Sequence, residues 1–276
     1  MEASSNPGPS RTALLVAGYR ARLTDGGSPL CHDPWARALA GEEGLALSRA
    51  LDGSQPHMEL WLGVRTAFLD GAVARLSRVA PQVVLLGAGL DTRAARLASP
   101  GLRFFEVDAP ATQRWKLRRL AELPEYPRDV AVYVSCDFET EDFLSRLTAA
   151  GFDPGMPAVF VWEGVTYYLS EPAVRATLRR VAAGCHPDTT LLFDFVGRDM
   201  AEGRVRHAED RQTHRMVADL GEPFRFGTND VLPVLYEEGF RRVRVTSFDE
   251  ACLELTGTYD RARKFRFQYL AEATIA

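Results

Sequence analysis

The sequence predicts a doubly wound, Rossmann-like α/β sheet with an N-terminal helical cap and an inserted lid, and three observations carry that class. Strand and helix patterns alternate from Gln82 to Val196, the order that builds a parallel sheet covered by helices on both faces. The strand candidates are short continuous apolar runs such as Val83-Val84-Leu85-Leu86, typical of strands buried on both sides. No strand pattern precedes Pro81, so the chain opens with helices alone.

Residues 11–23 read as the first helix. Residues 34–40 read as a second, with Asp33 as N-cap and Pro34 in the first position. Residues 57–78 carry a long helical stripe of Leu60, Val64, Phe68, Leu69, Val73 and Leu76. The core then runs as strand 83–86, helix 91–98, strand 102–107, helix 111–123, strand 130–135, helix 139–150, strand 158–162, helix 171–183 and strand 189–196. Residues 197–226 break the rhythm: this stretch is highly charged, holds His207 and His214, and is too long for a simple connection. It reads as a helical lid. Helix 228–238, strand 242–248 and strand 265–275 close the chain, the last two as a β-hairpin. The expected organisation is one domain over residues 1–276, with a cap (1–80), a core (81–276) and a lid (197–226).

Composition narrows the partners. A formal net charge of −4 over 276 residues offers no cationic excess for phosphate neutralisation, so nucleic acid is not expected. No apolar run approaches the roughly 18 residues that a membrane helix needs, and the polar start lacks a signal-peptide pattern. Scattered Cys31, Cys136, Cys185 and Cys252, without a C-x-x-C pair, fit reduced thiols in a cytoplasmic protein. No histidine spacing indicates a metal site. Small molecules are the expected partners, and the oligomeric state leaves no mark.

The chemistry-bearing residues fall at strand ends, where ligands bind in such sheets. Gly87-Ala88-Gly89 follows the first strand, and its glycines permit close backbone approach, with N–H groups at a helix start facing a polar ligand. A dinucleotide fingerprint would want glycine where Thr92 stands. The turn therefore suits an amino-acid-bearing nucleoside better than a pyrophosphate. Asp108 ends the second strand about 20 residues on, where a carboxylate accepts ribose hydroxyls. Glu106 shares its side of the strand and is the alternative, or a structural partner for a cation. Asp137 and Phe138 follow the third strand and either meet an adenine or, for Asp137, cap a helix. Glu163 ends the fourth strand, where it could hold an α-amino group or orient a methyl donor. Tyr167 and Tyr168 line a substrate pocket or pack as ordinary aromatics. Arg65 could pair with a ligand carboxylate, or lie on a solvated helix face.

Together, residues 83–97 (VVLLGAGLDTRAARL), 104–110 (FFEVDAP) and 162–169 (WEGVTYYL), with His32-Asp33-Pro34-Trp35, resemble the leucine carboxyl methyltransferase family. The resemblance runs from about residue 11 to about residue 178. It implies S-adenosyl-L-methionine (SAM) as cofactor and S-adenosyl-L-homocysteine as product. On that basis Arg65, joined by Arg11, would bind the SAM carboxylate, and Gly87, with Ala88 and Gly89 beside it, the methionine backbone. Asp108 would take the ribose, Asp137 and Phe138 the adenine, and Glu163 the amino group. The shorter spacing from Arg65 to the glycine turn, Gly164, and Leu90-Asp91-Thr92-Arg93 depart from the phosphatase-modifying members and point to the bacterial small-molecule branch.

The expected reaction is methyl transfer to a carboxylate of a small metabolite or natural product. Such an acceptor is ionised near pH 7 and needs no general base. The alternatives are a hydroxyl acceptor, for which His214 is the candidate base, and a protein C-terminus. From other classes come an NAD-binding oxidoreductase and a non-catalytic SAM-binding protein.

Overall fold

The computed structural model describes residues 9–138, 140–258 and 266–276. Three helices form the cap: α1 (Arg11–Asp25), α2 (Ala36–Ala50) and α3 (Met58–Leu76). The core continues as β1 (Gln82–Leu86), α4 (Arg93–Arg96), β2 (Arg103–Asp108), α5 (Pro110–Ala121), β3 (Ala131–Ser135), α6 (Phe143–Ala149) and β4 (Ala158–Trp162). A 3-10 turn (Thr166–Tyr168), α7 (Glu171–Gly184) and β5 (Thr190–Val196) follow. Then come α8 (Arg198–Ala201), α9 (Ala208–Asp219), α10 (Leu232–Glu237), β6 (Arg242–Ser247), α11 (Phe248–Thr256) and β7 (Gln268–Thr274).

The strands form one seven-stranded sheet in the order β3-β2-β1-β4-β5-β7-β6, parallel except for β7, which runs antiparallel to β5 and β6. Chain order reverses beside β1, which pairs with β2 on one side and β4 on the other. That switch opens a crevice at the carboxyl ends of the strands. Alternation along the strands divides the core. Val84, Leu86, Phe105, Phe160 and Phe193 face α6, α7 and α10, while Val83, Leu85, Phe104, Val161 and Leu192 face α3 and α11. The cap is thus not a separate layer, because α3 covers one face of the sheet.

The cap is held by close backbone approach. A Cβ on Gly18 would stand 2.2 Å from the Gly44 carbonyl oxygen, and one on Gly44 would stand 2.5 Å from the Leu14 carbonyl oxygen. Only glycine allows α1 and α2 to cross at this distance.

Several boundaries differ from the sequence expectation. The second helix runs on to Ala50 past Gly41, whose φ of 57° interrupts it, and Pro34 precedes it instead of starting it. Asp33 still caps locally, its carboxylate accepting from the Trp35 N–H. The helix expected over 91–98 shrinks to Arg93–Arg96, since Asp91 and Thr92 belong to the glycine loop. The helix expected from residue 139 begins at Phe143, capped by Asp142; residue 139 lies outside the described residues. Helix α11 was not expected, and it separates the two strands read as a closing hairpin. Those strands do pair antiparallel, but with β7 inserted next to β5.

Candidate cofactor and acceptor cavity

A cavity of about 350 Å³ lies at the carboxyl ends of β1, β2 and β4. Its floor is the glycine turn, its sides are Asp108, Phe138, Glu163 and Arg65, and its roof combines α1 with Tyr167, Tyr168 and Glu222. Arg65, Gly87, Ala88, Gly89, Asp108, Phe138, Glu163, Tyr167 and Tyr168, all expected from the sequence, meet here. Arg11, Asp137 and His214 do not line it. Arg11 and Asp137 are exposed. Asp137 accepts from the Thr140 hydroxyl, and His214 packs on Phe224.

The glycine turn approaches the cavity as expected but is not an anion nest. Gly87 has a φ of 64° and Gly89 one of 50°, and a Cβ on Gly87 would fall 2.7 Å from Val165 Cγ2. The N–H groups of Gly87 and Ala88 both donate to the Val107 carbonyl, and that of Gly89 donates to the Asp108 carboxylate. The turn's donors are therefore spent internally. What it offers a ligand is close approach of backbone, with carboxylates around it. Asp108 also accepts from the Ala109 N–H at 2.6 Å. Burial raises its carboxyl above the usual aspartate range, outweighing the two N–H donors. Each carboxylate oxygen has a second lone pair, so hydroxyl groups can still be received.

Glu106 has the structural role. It is buried against Lys116 of α5, and burial pushes its carboxyl up to about 7 despite the ammonium.

Below the cavity the ionic groups are linked. Glu163 pairs with Arg65 Nε at 2.9 Å and with Arg93 Nη1 at 2.6 Å. Arg65 reaches Asp194 Oδ2 at 2.8 Å, while Arg93 reaches Asp91 and, at 2.6 Å, Asp70, which also holds Arg96. Three guanidinium groups thus meet four carboxylates, leaving one negative charge in excess. Burial alone would raise the Glu163 carboxyl, but Arg93 and Arg65 hold it below its ordinary value. Asp194 is raised by burial, which Arg65 only partly offsets. Arg65 also donates to the Tyr167 hydroxyl at 3.2 Å. Among the described residues its Nη2 donates no hydrogen bond, and that edge of the guanidinium lies beside Gly164, whose φ of 71° favours glycine.

The sequence reading missed six contributors. Arg93 and Asp194 are buried behind the lining. Asp194 interrupts the apolar strand Thr190–Val196, and a lone carboxylate there signals a buried cation. On α1, Thr12, Val16 and Arg20 recur every four residues and so share the face over the cavity. Arg20 ties that helix to Asp33 at 3.0 Å and to the Leu90 carbonyl at 2.6 Å. Glu222 enters from the lid and accepts from the Thr12 hydroxyl. No local pattern announces it.

This sheet, with its antiparallel seventh strand and a carboxylate-ringed crevice at the switch point, defines the SAM-methyltransferase variant of the doubly wound fold. The chain belongs to the leucine carboxyl methyltransferase family, whose family model matches residues 13–182. A relative from Mycobacterium bovis is 35% identical over 194 residues, covering 67% of this chain and 64% of that protein. Another, from Mycolicibacterium vanbaalenii, is 34% identical over 246 residues, covering 83% and 77%. Both are named S-adenosyl-L-methionine-dependent methyltransferases. The chain thus spans less than two thirds of the length of the first relative. A duf574 family protein of Streptomyces avermitilis shares the fold at a TM-score of 0.62 with 17% identity, covering 96% of this chain and 97% of its own.

Proposed function

We propose that this chain transfers a methyl group from SAM to an oxygen atom of a small acceptor held in the same cavity. The observation that carries the reading is the grouping of Asp108, Arg65 and Glu163 around one crevice at the sheet's switch point. The donor set fits the cofactor. Asp108 suits ribose hydroxyls, Phe138 an adenine face, the open edge of Arg65 a carboxylate, and the anionic excess around Glu163 an ammonium. When bound, SAM supplies an electrophilic methyl on a sulfonium. The protein's part is to align the acceptor with it and to exclude water beneath α1 and the lid.

A carboxylate acceptor is the first reading, supported by the family and by a cavity lining without histidine. Ionised already, it needs alignment only. A hydroxyl acceptor is the second, and Glu222 favours it. That carboxylate faces the cavity with the Thr12 hydroxyl as its hydrogen-bond partner, and could take a hydroxyl proton. The roof of α1 and lid favours a small acceptor over a protein C-terminus.

Calorimetry with SAM, S-adenosyl-L-homocysteine and NAD tests the cofactor, and binding of NAD alone would defeat the proposal. Incubation with SAM and an acceptor panel, read by mass spectrometry, should reveal products carrying one added methyl. Products that return the parent acid in mild alkali indicate a carboxylate acceptor, and alkali-stable ethers a hydroxyl. Tight SAM binding without turnover across the panel would argue for a binding protein.

A further inference from the structure

Arg93 lies wholly outside the cavity lining, yet it joins the three elements that surround the Glu163 end of the cavity. Its Nε reaches Asp70 of α3 at 2.6 Å. Its Nη1 meets both Asp91 of the glycine loop and Glu163 at the end of β4. The residue is 1% exposed, so its side of these contacts is shielded from solvent. Asp70 is itself fixed from the other side by Arg96. Arg65 lies against the opposite oxygen of Glu163, Oε1, while Arg93 lies against Oε2. The two guanidinium groups therefore flank the carboxylate and balance its charge as ion pairs.

We infer that Arg93 is a positioning residue for the amino-acid end of the cofactor, acting through Glu163. The inference rests on the reading that SAM binds here with its ammonium towards Glu163. A buried carboxylate with one cation removed turns in its socket and takes up a proton more readily. Either change deprives an ammonium of its acceptor. The adenosine end, received by Asp108 and Phe138, is untouched by such a change. Arg93 thus separates the two ends of one ligand.

The test compares S-adenosyl-L-homocysteine with 5′-methylthioadenosine, which keeps the adenosine and thioether but lacks the ammonium and carboxylate. Both are titrated calorimetrically into the full-length protein. Arg93→Lys should weaken S-adenosyl-L-homocysteine binding tenfold or more and leave 5′-methylthioadenosine within twofold. Asp70→Asn, at the rim of the network, should act in the same sense but less, and serves where the arginine variant folds poorly. Arg93→Gln adds a pH signature. The charged and titratable groups then facing Glu163 are Arg65, Asp91, Asp194, Tyr167 and the more distant Arg20. With its closest cation gone, Glu163 titrates at higher pH, so S-adenosyl-L-homocysteine affinity should fall as pH drops from 8 to 6. The parent protein should change less over that range, its remaining dependence coming from Glu106 and Asp108. Equal weakening of both ligands would mean a merely structural role and overturn the inference, as would unchanged affinity for both. If the parent protein binds neither ligand, the cofactor reading itself fails, and that result is distinguishable because it needs no variant.

Discussion

Asp108 binds the turn and rims the cavity at once, since its carboxylate accepts from Gly89 and Ala109 while facing the ligand space. Asp108→Ala removes the acceptor for ribose hydroxyls and also frees the Gly89 N–H. S-adenosyl-L-homocysteine affinity should fall by about 1–3 kcal/mol, measured by calorimetry at fixed pH. An unchanged affinity would place the ribose elsewhere. Because burial raises the Asp108 carboxyl, cofactor binding should be complete above that raised value. It should be lost as pH falls through it, earlier than for an ordinary aspartate. Residues of this kind were legible because the strand pattern fixes where each strand ends, and the ends are where ligands sit. Gly87, Asp108 and Glu163 follow from that rule. Arg93 and Asp194 do not, since each matters through partners from other elements that one strand or loop cannot reveal. Arg11 and Asp137, carried over by resemblance or by adjacency to a strand end, are exposed and off the cavity.

At the scale of elements, two glycines in helices should respond oppositely to the same substitution. Gly18 of α1 has the Gly44 carbonyl where its Cβ would stand, so Gly18→Ala forces the helices apart and should cost about 1–3 kcal/mol. Gly71 is exposed in α3, with nothing within 4 Å of its would-be Cβ. Gly71→Ala should stabilise by about 0.5–1 kcal/mol through helix propensity. Chemical denaturation of both variants checks the pair, and a destabilised Gly71→Ala would contradict the open surroundings. The Gly18–Gly44 crossing was invisible in sequence because it depends on how two helices meet. Helix α11 is a different case. Ser247 and Glu250 form a capping box, and Gly257 ends the helix with a φ of 71°; the signal was present in the chain, but an apparent hairpin reading overrode it.

Across the whole molecule, side-chain hydrogen bonds link the cap to the lid, one of them at the cavity. Thr12 of α1 donates to Glu222, and Thr213 of α9 donates to Gln55, which precedes α3, at 2.8 Å. Both contacts bridge segments more than a hundred residues apart, so neither is fixed by local chain geometry. Apolar packing holds the lid on both sides: Phe224 and Val217 join Tyr167 and Val196, while Met216 and Leu220 pack against the cluster that contains Leu15, Trp61 and Leu62 of the cap. Parting that seam would widen the way out for a ligand under α1 and the lid. The charged Thr12–Glu222 hydrogen bond should contribute about 1.5–3 kcal/mol to keeping it shut. Glu222→Ala should therefore speed release of S-adenosyl-L-homocysteine by roughly tenfold or more, measured by displacement with excess SAM in stopped flow. Thr12→Val should match it, and the double variant should add little, because both remove one bond. Loading should accelerate along with release, leaving equilibrium affinity much less changed than either rate. A release rate unaltered in both single variants would mean that the cofactor exits without parting cap from lid, and the seam would then belong to the acceptor's path instead.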